Sequence, residues 1–170
     1  MTQNQDLTRF VHRACELGAL EAKVIDPRTV VTAAWVRLKC QYGCGGYGKS
    51  LCCPPHTPTP DETPAAINCS HTALLVHFDR QGQPVSEAIV TLEREIFLDG
   101  YYKALGFGAG PCRLCKTCNN EMCVQPREAR PAMEACGIDV YATARANGFP
   151  IQVLTDREAV EDCYGLVLIE

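Results

Sequence analysis

Leu7, Phe10, Val11, Ala14 and Leu17 recur at helical spacing on one face, which predicts an amphipathic helix over residues 6–20. Val85, Ala88, Ile89, Leu92 and Ile96 repeat in the same way and predict the longest helix, about 84–102. The stretch from Thr29 to Lys39, rich in Val, Thr and Trp, predicts a strand, and Thr72 to Asp79 a second, bounded by Gln-Gly-Gln-Pro. Ile151 to Thr155 and Tyr164 to Ile169 complete the predicted strands. Pro54, Pro55, Pro58, Pro60 and Pro64 forbid regular structure until about residue 64. Thr63 as cap and Pro64 at the first position then start a short helix. A further short helix is expected over Arg130 to Gly137, and Asp139 caps another that ends at Gly148. Strands interspersed with helices predict an α+β fold, with α/β as the alternative. The expectation is a single domain over 1–170, with a small mixed sheet of about four strands, flanking helices and two cysteine-rich metal-binding loops.

At 170 residues the chain suits one domain with a genuine core, and 46% apolar against 21% charged residues argues against disorder. A net charge of -4 with no basic stripe argues against a nucleic-acid partner. The opening Met-Thr-Gln-Asn-Gln-Asp lacks the charged and apolar regions of a signal peptide, and no apolar run reaches membrane-spanning length. Twelve cysteines without an export signal are expected to stay reduced in the cytoplasm, which points to metal ligation.

Candidate chemistry concentrates in Gly-Pro-Cys-Arg-Leu-Cys-Lys-Thr-Cys-Asn-Asn-Glu-Met-Cys, which carries Cys112, Cys115, Cys118 and Cys123. Three thiols spaced by two residues, with a fourth after four more, let one short loop aim several sulfurs at one centre, as around a [4Fe-4S] cubane. Zinc prefers two Cys-x-x-Cys knuckles held apart by a longer spacer, whereas here the knuckles overlap at Cys115. Arg113 and Lys116 alternate with these cysteines, either as a solvated loop face or to offset a negative cluster. Glu121 lies in the same loop without an assigned role.

A second cysteine region holds Cys40, Cys44, Cys52 and Cys53 within fourteen residues. Cys53 precedes Pro54, a context in which a fixed turn aims the sulfur inward, and is favoured over Cys52 as a ligand. Three readings stand: a second cluster, including one with an iron that carries no protein sulfur; a remote ligand donated to the other region; or zinc, with His56 as a nitrogen ligand. Gly43 to Ser50 also matches the phosphate-loop pattern. That mechanism needs a helix starting at Lys49-Ser50, and Leu-Cys-Cys-Pro-Pro forbids one. The glycines instead let backbone amides approach thiolates or cluster sulfurs near Cys44.

Elsewhere the bland readings lead. Cys15, Cys69, Cys136 and Cys163 read as small core residues, and His12, His71 and His77 as surface or core histidines. Tyr101, Tyr102 and Lys103 read as packing at a helix end.

Cys40-x3-Cys44, Tyr47-Gly48, Cys53-Pro54-Pro55 and Pro58-Thr59-Pro60 resemble the first half of an uncharacterised prokaryotic family of predicted metal-binding proteins. Gly110-Pro111-Cys112-x2-Cys115-x2-Cys118, Arg130-Pro131-x-Met133-Glu134-Ala135 and Gly137-Ile138-Asp139-Val140 resemble its second half. The departures are Cys52 beside Cys53, and Cys136. The resemblance implies metal binding by those cysteines in a cytosolic protein, with no settled reaction.

Together these residues lead us to expect a cytoplasmic iron–sulfur protein with one or two [4Fe-4S] clusters that transfers electrons to a redox partner protein, with no nucleic-acid or membrane partner. The rival expectations are an enzyme using an open-iron cluster as a Lewis acid, for dehydration or sulfur removal and transfer, and a structural zinc module.

Overall fold

Two seven-residue strands, β2 (Thr72–Phe78) and β4 (Cys163–Ile169), pair antiparallel over their whole length and form the centre of the sheet. The structure is a computed structural model that describes residues 7–79, 85–156 and 158–170. Strand β1 (Glu21–Ile25) pairs with the outer edge of β2, and β3 (Leu105–Phe107) with that of β4, giving the order β1-β2-β4-β3. All three pairings are antiparallel, so the sheet is not mixed. With five α-helices around this sheet among the described residues, the fold is α+β.

Side chains alternate across the sheet, and each face has its own core. Leu74, Val76, Phe78, Val167 and Ile169 bury against helices α1 (Thr8–Glu16) and α4 (Val85–Leu98). The apolar faces expected of both helices are the ones buried: Phe10 and Ala14 on α1, Ala88, Ile89, Leu92 and Ile96 on α4. Helix α4 sits so close that a Cβ at Gly106 or Gly165 would come within 2.6 Å of Ile89 side-chain atoms. The opposite face, Leu75, Tyr164, Leu166 and Leu168, is covered by less regular structure. Met133, Cys136 and Ile138 lie there, with helix α5 (Val140–Ala146).

The turn from Met133 to Asp139 ties this second face together. A 3-10 turn over Glu134–Cys136 ends at Gly137 in the left-handed region, φ 76. Asp139 then caps α5 by accepting from the Ala142 amide at 2.9 Å. Thr63 does not cap α3 (Thr63–Ile67); its hydroxyl turns inward and donates to Cys136 O at 2.6 Å. Main-chain contacts from Thr32 to Ile138 and from Asp139 N to Val31 O bring the start of α2 (Ala34–Gly43) alongside.

Several expectations shift. The predicted strand Thr29–Lys39 is instead a 3-10 turn at Pro27–Thr29, an extended Val30 and an isolated bridge at Thr32, followed by α2. Past Ala33 the run Ala-Trp-Val-Arg-Leu-Lys has no helix breaker, and burying Val36 on a neighbour overrides strand propensity. The strand missed, β1, is an edge strand carrying Glu21 and Lys23, charges that blunt an edge and hide the apolar alternation. Ile151 to Thr155 is not a strand: Ile151 is buried, while Val153 and Leu154 are exposed. Helix α4 ends at Leu98 rather than 102, because Gly100 adopts φ 106. Tyr101 then packs on Phe10, but Tyr102 is exposed. Residue 6, residue 84 and the Gln81–Pro84 break lie outside the described residues.

Gly137 carries a testable constraint. A Cβ there would sit 2.4 Å from Pro60 Cγ and 2.8 Å from Pro60 Cα, in a backbone conformation that L-residues disfavour. Gly137→Ala is expected to lower unfolding free energy by about 2–4 kcal/mol, the sum of left-handed strain and overpacking, read as a fall in the urea midpoint.

Candidate metal centre

Helix α2 delivers Cys40 in its last turn, stops at Gly43 and leaves Cys44 extended as its C-cap. The chain then makes a run of turns to Cys53, closed by Gly48 N donating to Pro54 O at 2.7 Å. Gly46 sits between sulfurs: its amide donates to Cys44 Sγ at 3.4 Å, and a Cβ there would lie 3.8 Å from Cys53 Sγ. Gly46 thus makes the close backbone approach expected of these glycines, whereas a Cβ at Gly43, Gly45 or Gly48 would meet nothing within 4 Å. No helix begins at Lys49-Ser50, and Ser50 Oγ is engaged by the Cys52 amide at 3.1 Å, so the phosphate-loop match is not matched by phosphate-loop geometry. Cys40 Sγ lies 3.9 Å from Glu134 O, so the first region leans on the 134–137 turn.

The second region is a loop held at its base. Beyond β3, Gly108 N donates to Pro131 O at 2.9 Å and Met133 N to Gly108 O at 3.0 Å, so chain enters and leaves at one point. Arg130 clamps the exit by a bidentate pair to Glu93 of α4, at 2.6 Å on both oxygens. Glu93 Oε2 also accepts from Gly106 N at 2.7 Å. Hydrogen bonding to Glu93 raises the Arg130 pKa further, against the effect of burial. Within the loop Cys112, Cys115, Cys118 and Cys123 are half-buried, while Arg113, Lys116 and Glu121 are exposed to solvent.

The fold sorts the cysteines into two groups. Cys112, Cys115, Cys118 and Cys123 line one small cavity of about 20 Å³, and Cys52 joins them from the first region. Cys40, Cys44 and Cys53 line a separate, open cleft of about 1000 Å³. Adjacent Cys52 and Cys53 therefore turn to different groups. The groups still abut, because Cys53 experiences the charges of Cys112 and Cys118 as well as Cys44. Burial, then charge and hydrogen bonding from Cys112, pushes the Cys52 thiol up to about 12; burial foremost also raises Cys40 and Cys53. These three are neutral thiols near pH 7 without a metal, and ligation must release their protons.

Other candidates fall away from both groups. His56 is exposed and lines neither cavity. Cys136 is fully buried in one core and Cys163 packs against the other, as expected, but Cys15 and Cys69 are exposed. His77 is a core histidine, stacked on Tyr164 at 4.7 Å and bonded to Asp162 at 2.8 Å. Among the described residues, no three His, Cys, Asp or Glu side chains converge tightly enough to hold one metal ion. All twelve thiols are free of disulfides. Sequence spacing does not pair Glu93 with Arg130, because 37 residues separate them, although Arg130 opens one of the motif blocks.

A family model described as a predicted metal-binding protein, DUF2284, matches residues 23–169. No curated protein and no solved structure matches the chain. No helix among the described residues is long and apolar enough to cross a membrane.

The clamp generates a prediction. Glu93→Gln keeps an acceptor for Gly106 N but leaves the Arg130 cation without its carboxylate. It is expected to cost about 2 kcal/mol, below the fully buried value because both side chains keep some solvent contact. Limited proteolysis should cleave between residues 109 and 130 faster than in the parent protein.

Proposed function

The chain belongs to the DUF2284 family of predicted metal-binding proteins, and on that premise we propose that it is an iron–sulfur protein of the reducing cytoplasm that carries electrons to a partner protein. One observation carries the reading: Cys112, Cys115, Cys118 and Cys123 line a common cavity with Cys52, yet among the described residues no three of these thiols converge on one point, as the corners of a zinc site would require. A cubane presents four irons at separate corners, so its ligand sulfurs stand farther apart than those around one ion. That suits thiols which share a cavity without converging on a single point.

The donors fit a [4Fe-4S] centre; the space must open. A cavity of about 20 Å³ has room for about one water, so loading requires the two cysteine loops to part. They meet through the Cys52–Cys112 thiol contact and a long hydrogen bond, Asn120 Nδ2 to Gly48 O at 3.4 Å, both weak interactions. The cluster, when bound, supplies one-electron transfer. Arg113 and Lys116 flank the thiolates and offset their charge, and the half-buried loop keeps the site near the surface where a partner can approach. Cys40, Cys44 and Cys53 form a three-thiol set suited to a second cluster with one iron free of protein sulfur. Because that set lines an open cleft, Lewis-acid catalysis on a bound molecule is the second reading.

Protein purified without oxygen is expected to be brown, with about four iron and four sulfide per cluster. Cys112→Ser and Cys115→Ser should lose most of that content, while Cys15→Ser, on the exposed side of α1, should keep it. A colourless protein that takes up zinc alone would overturn the proposal. Cys52→Ser and Cys53→Ser are expected to act differently. The first should perturb absorption and paramagnetic signals of the Cys112–Cys123 centre, the second those of the Cys40–Cys44 set.

A further inference from the structure

The loop that carries Cys112 to Cys123 is thinly covered. Leu114 and Val124 line the thiol cavity and are themselves exposed, so the side chains that touch the cavity also touch solvent. Met122, on the same loop, is exposed as well and extends this apolar cover. Apolar side chains gathered over one site, rather than scattered singly, mark a place where another molecule sits. They also give an electron held among the thiols a short way out.

Charge around the cover runs against that of the whole chain. Segment 109–130 carries Arg113, Lys116, Arg127 and Arg130 against Glu121 and Glu128, in a chain of net charge -4. Two of these six are spent within the fold, since Arg130 pairs with Glu93 and Glu128 with Arg94. Arg113, Lys116 and Arg127 are exposed and have no ion pair among the described residues, against Glu121 alone. Lys49 joins them from the first region, because Gly48 O accepts from Asn120 Nδ2 and holds the neighbouring backbone to the loop. Outside the described residues the sequence holds one acidic side chain, Asp6, against Arg80 and Arg157, so no anion excess is left out of the balance. Ligated thiolates add negative charge, but they are half-buried, whereas the cations reach into solvent and meet an approaching molecule first.

We infer that this face, with Leu114, Met122 and Val124 at its centre and Lys49, Arg113, Lys116 and Arg127 around them, docks an acidic redox protein. The inference rests on the electron-carrier reading and names the kind of partner that reading requires. The apolar centre gives close contact, while the rim of cations sets orientation and encounter rate more than affinity. A nucleic acid, the other large polyanion, fits less well: the cover offers no aromatic ring for bases to stack on.

Cytochrome c and its succinylated form present one fold with opposite charge, because succinylation turns lysines into carboxylates. Protein purified without oxygen is reduced with dithionite, freed of excess reagent and mixed with each form. One electron leaves the protein and ferric haem becomes ferrous, followed by haem absorbance. Calorimetry measures the binding of both forms to oxidised samples. Against the net charge of -4, the succinylated form should react about tenfold faster at low salt and lose most of that advantage at about 0.3 M salt. The triple variant Arg113→Gln, Lys116→Gln, Arg127→Gln should bind the succinylated form about tenfold more weakly, which calorimetry reads apart from any change in reduction potential. Preference for unmodified cytochrome c, a triple variant that binds as the parent does, or tighter binding of a short single-stranded oligonucleotide would overturn the inference. Iron and sulfide are measured on the same samples. A colourless preparation that binds the succinylated form as expected supports the docking face and defeats the electron-carrier reading. A brown preparation that reduces both forms at rates independent of salt does the reverse.

Discussion

Four consecutive carbonyl groups, those of Glu134, Ala135, Cys136 and Gly137, take hydrogen bonds from Cys40 Sγ, Thr57 Oγ1, Thr63 Oγ1 and Ala33 N. Everything around the thiols depends on this turn. Its donors come from before α2, from the end of α2, from the proline-rich segment and from the start of α3, so one short stretch fixes the first cysteine region at both ends. Buried carbonyls without partners are costly, which makes the arrangement hard to replace piecemeal. Met133 N reaches back to Gly108 O, so the second cysteine loop springs from the same hub.

The sheet supplies the stiffness that the loops lack. Its face under α1 and α4 is a regular helix-on-sheet core, packed so closely that Gly106 and Gly165 admit no side chain against Ile89. Its other face carries short helices and turns, whose backbone groups need many individual partners. The division is functional in the physical sense: one face gives stability, and the other leaves the chain irregular enough to point sulfurs outward. Glu93 links the two, since it belongs to α4 yet holds both the β3 amide of Gly106 and the guanidinium of Arg130.

Crowded thiols pose an electrostatic problem that the fold eases without abolishing. Cys52, Cys53 and Cys40 are raised first by burial and then by neighbouring thiols, chiefly Cys112 for Cys52 and Cys44 for the other two. Arg37, one turn ahead of Cys40 on α2, works the other way and favours its thiolate. Its Nη2 is anchored on the carbonyls of Thr57 and Pro58, while its buried Nε has no hydrogen-bond partner among the described residues. The cation is therefore kept beside the sulfurs by the same proline-rich segment that the hub secures.

Local pattern was enough wherever one element buries one face. The α1 and α4 stripes, the apolar β2 and β4, Gly137 as a terminator and Asp139 as a cap are all written in neighbouring residues. The cysteine spacing likewise singled out the candidate ligands, and the resemblance to a predicted metal-binding family agrees with the family model that matches residues 23–169. Tertiary structure decided what depends on distant partners. Trp35 to Lys39 became helix because Val36 found a buried seat, and Glu21 to Ile25 became strand because β2 offered an edge. Cys52 and Cys53 went to different groups, and Arg130 found Glu93 across 37 residues. A periodicity reports how a segment meets an average interior; only the assembled chain sets which particular groups meet, because those contacts form between segments whose separation no local pattern encodes.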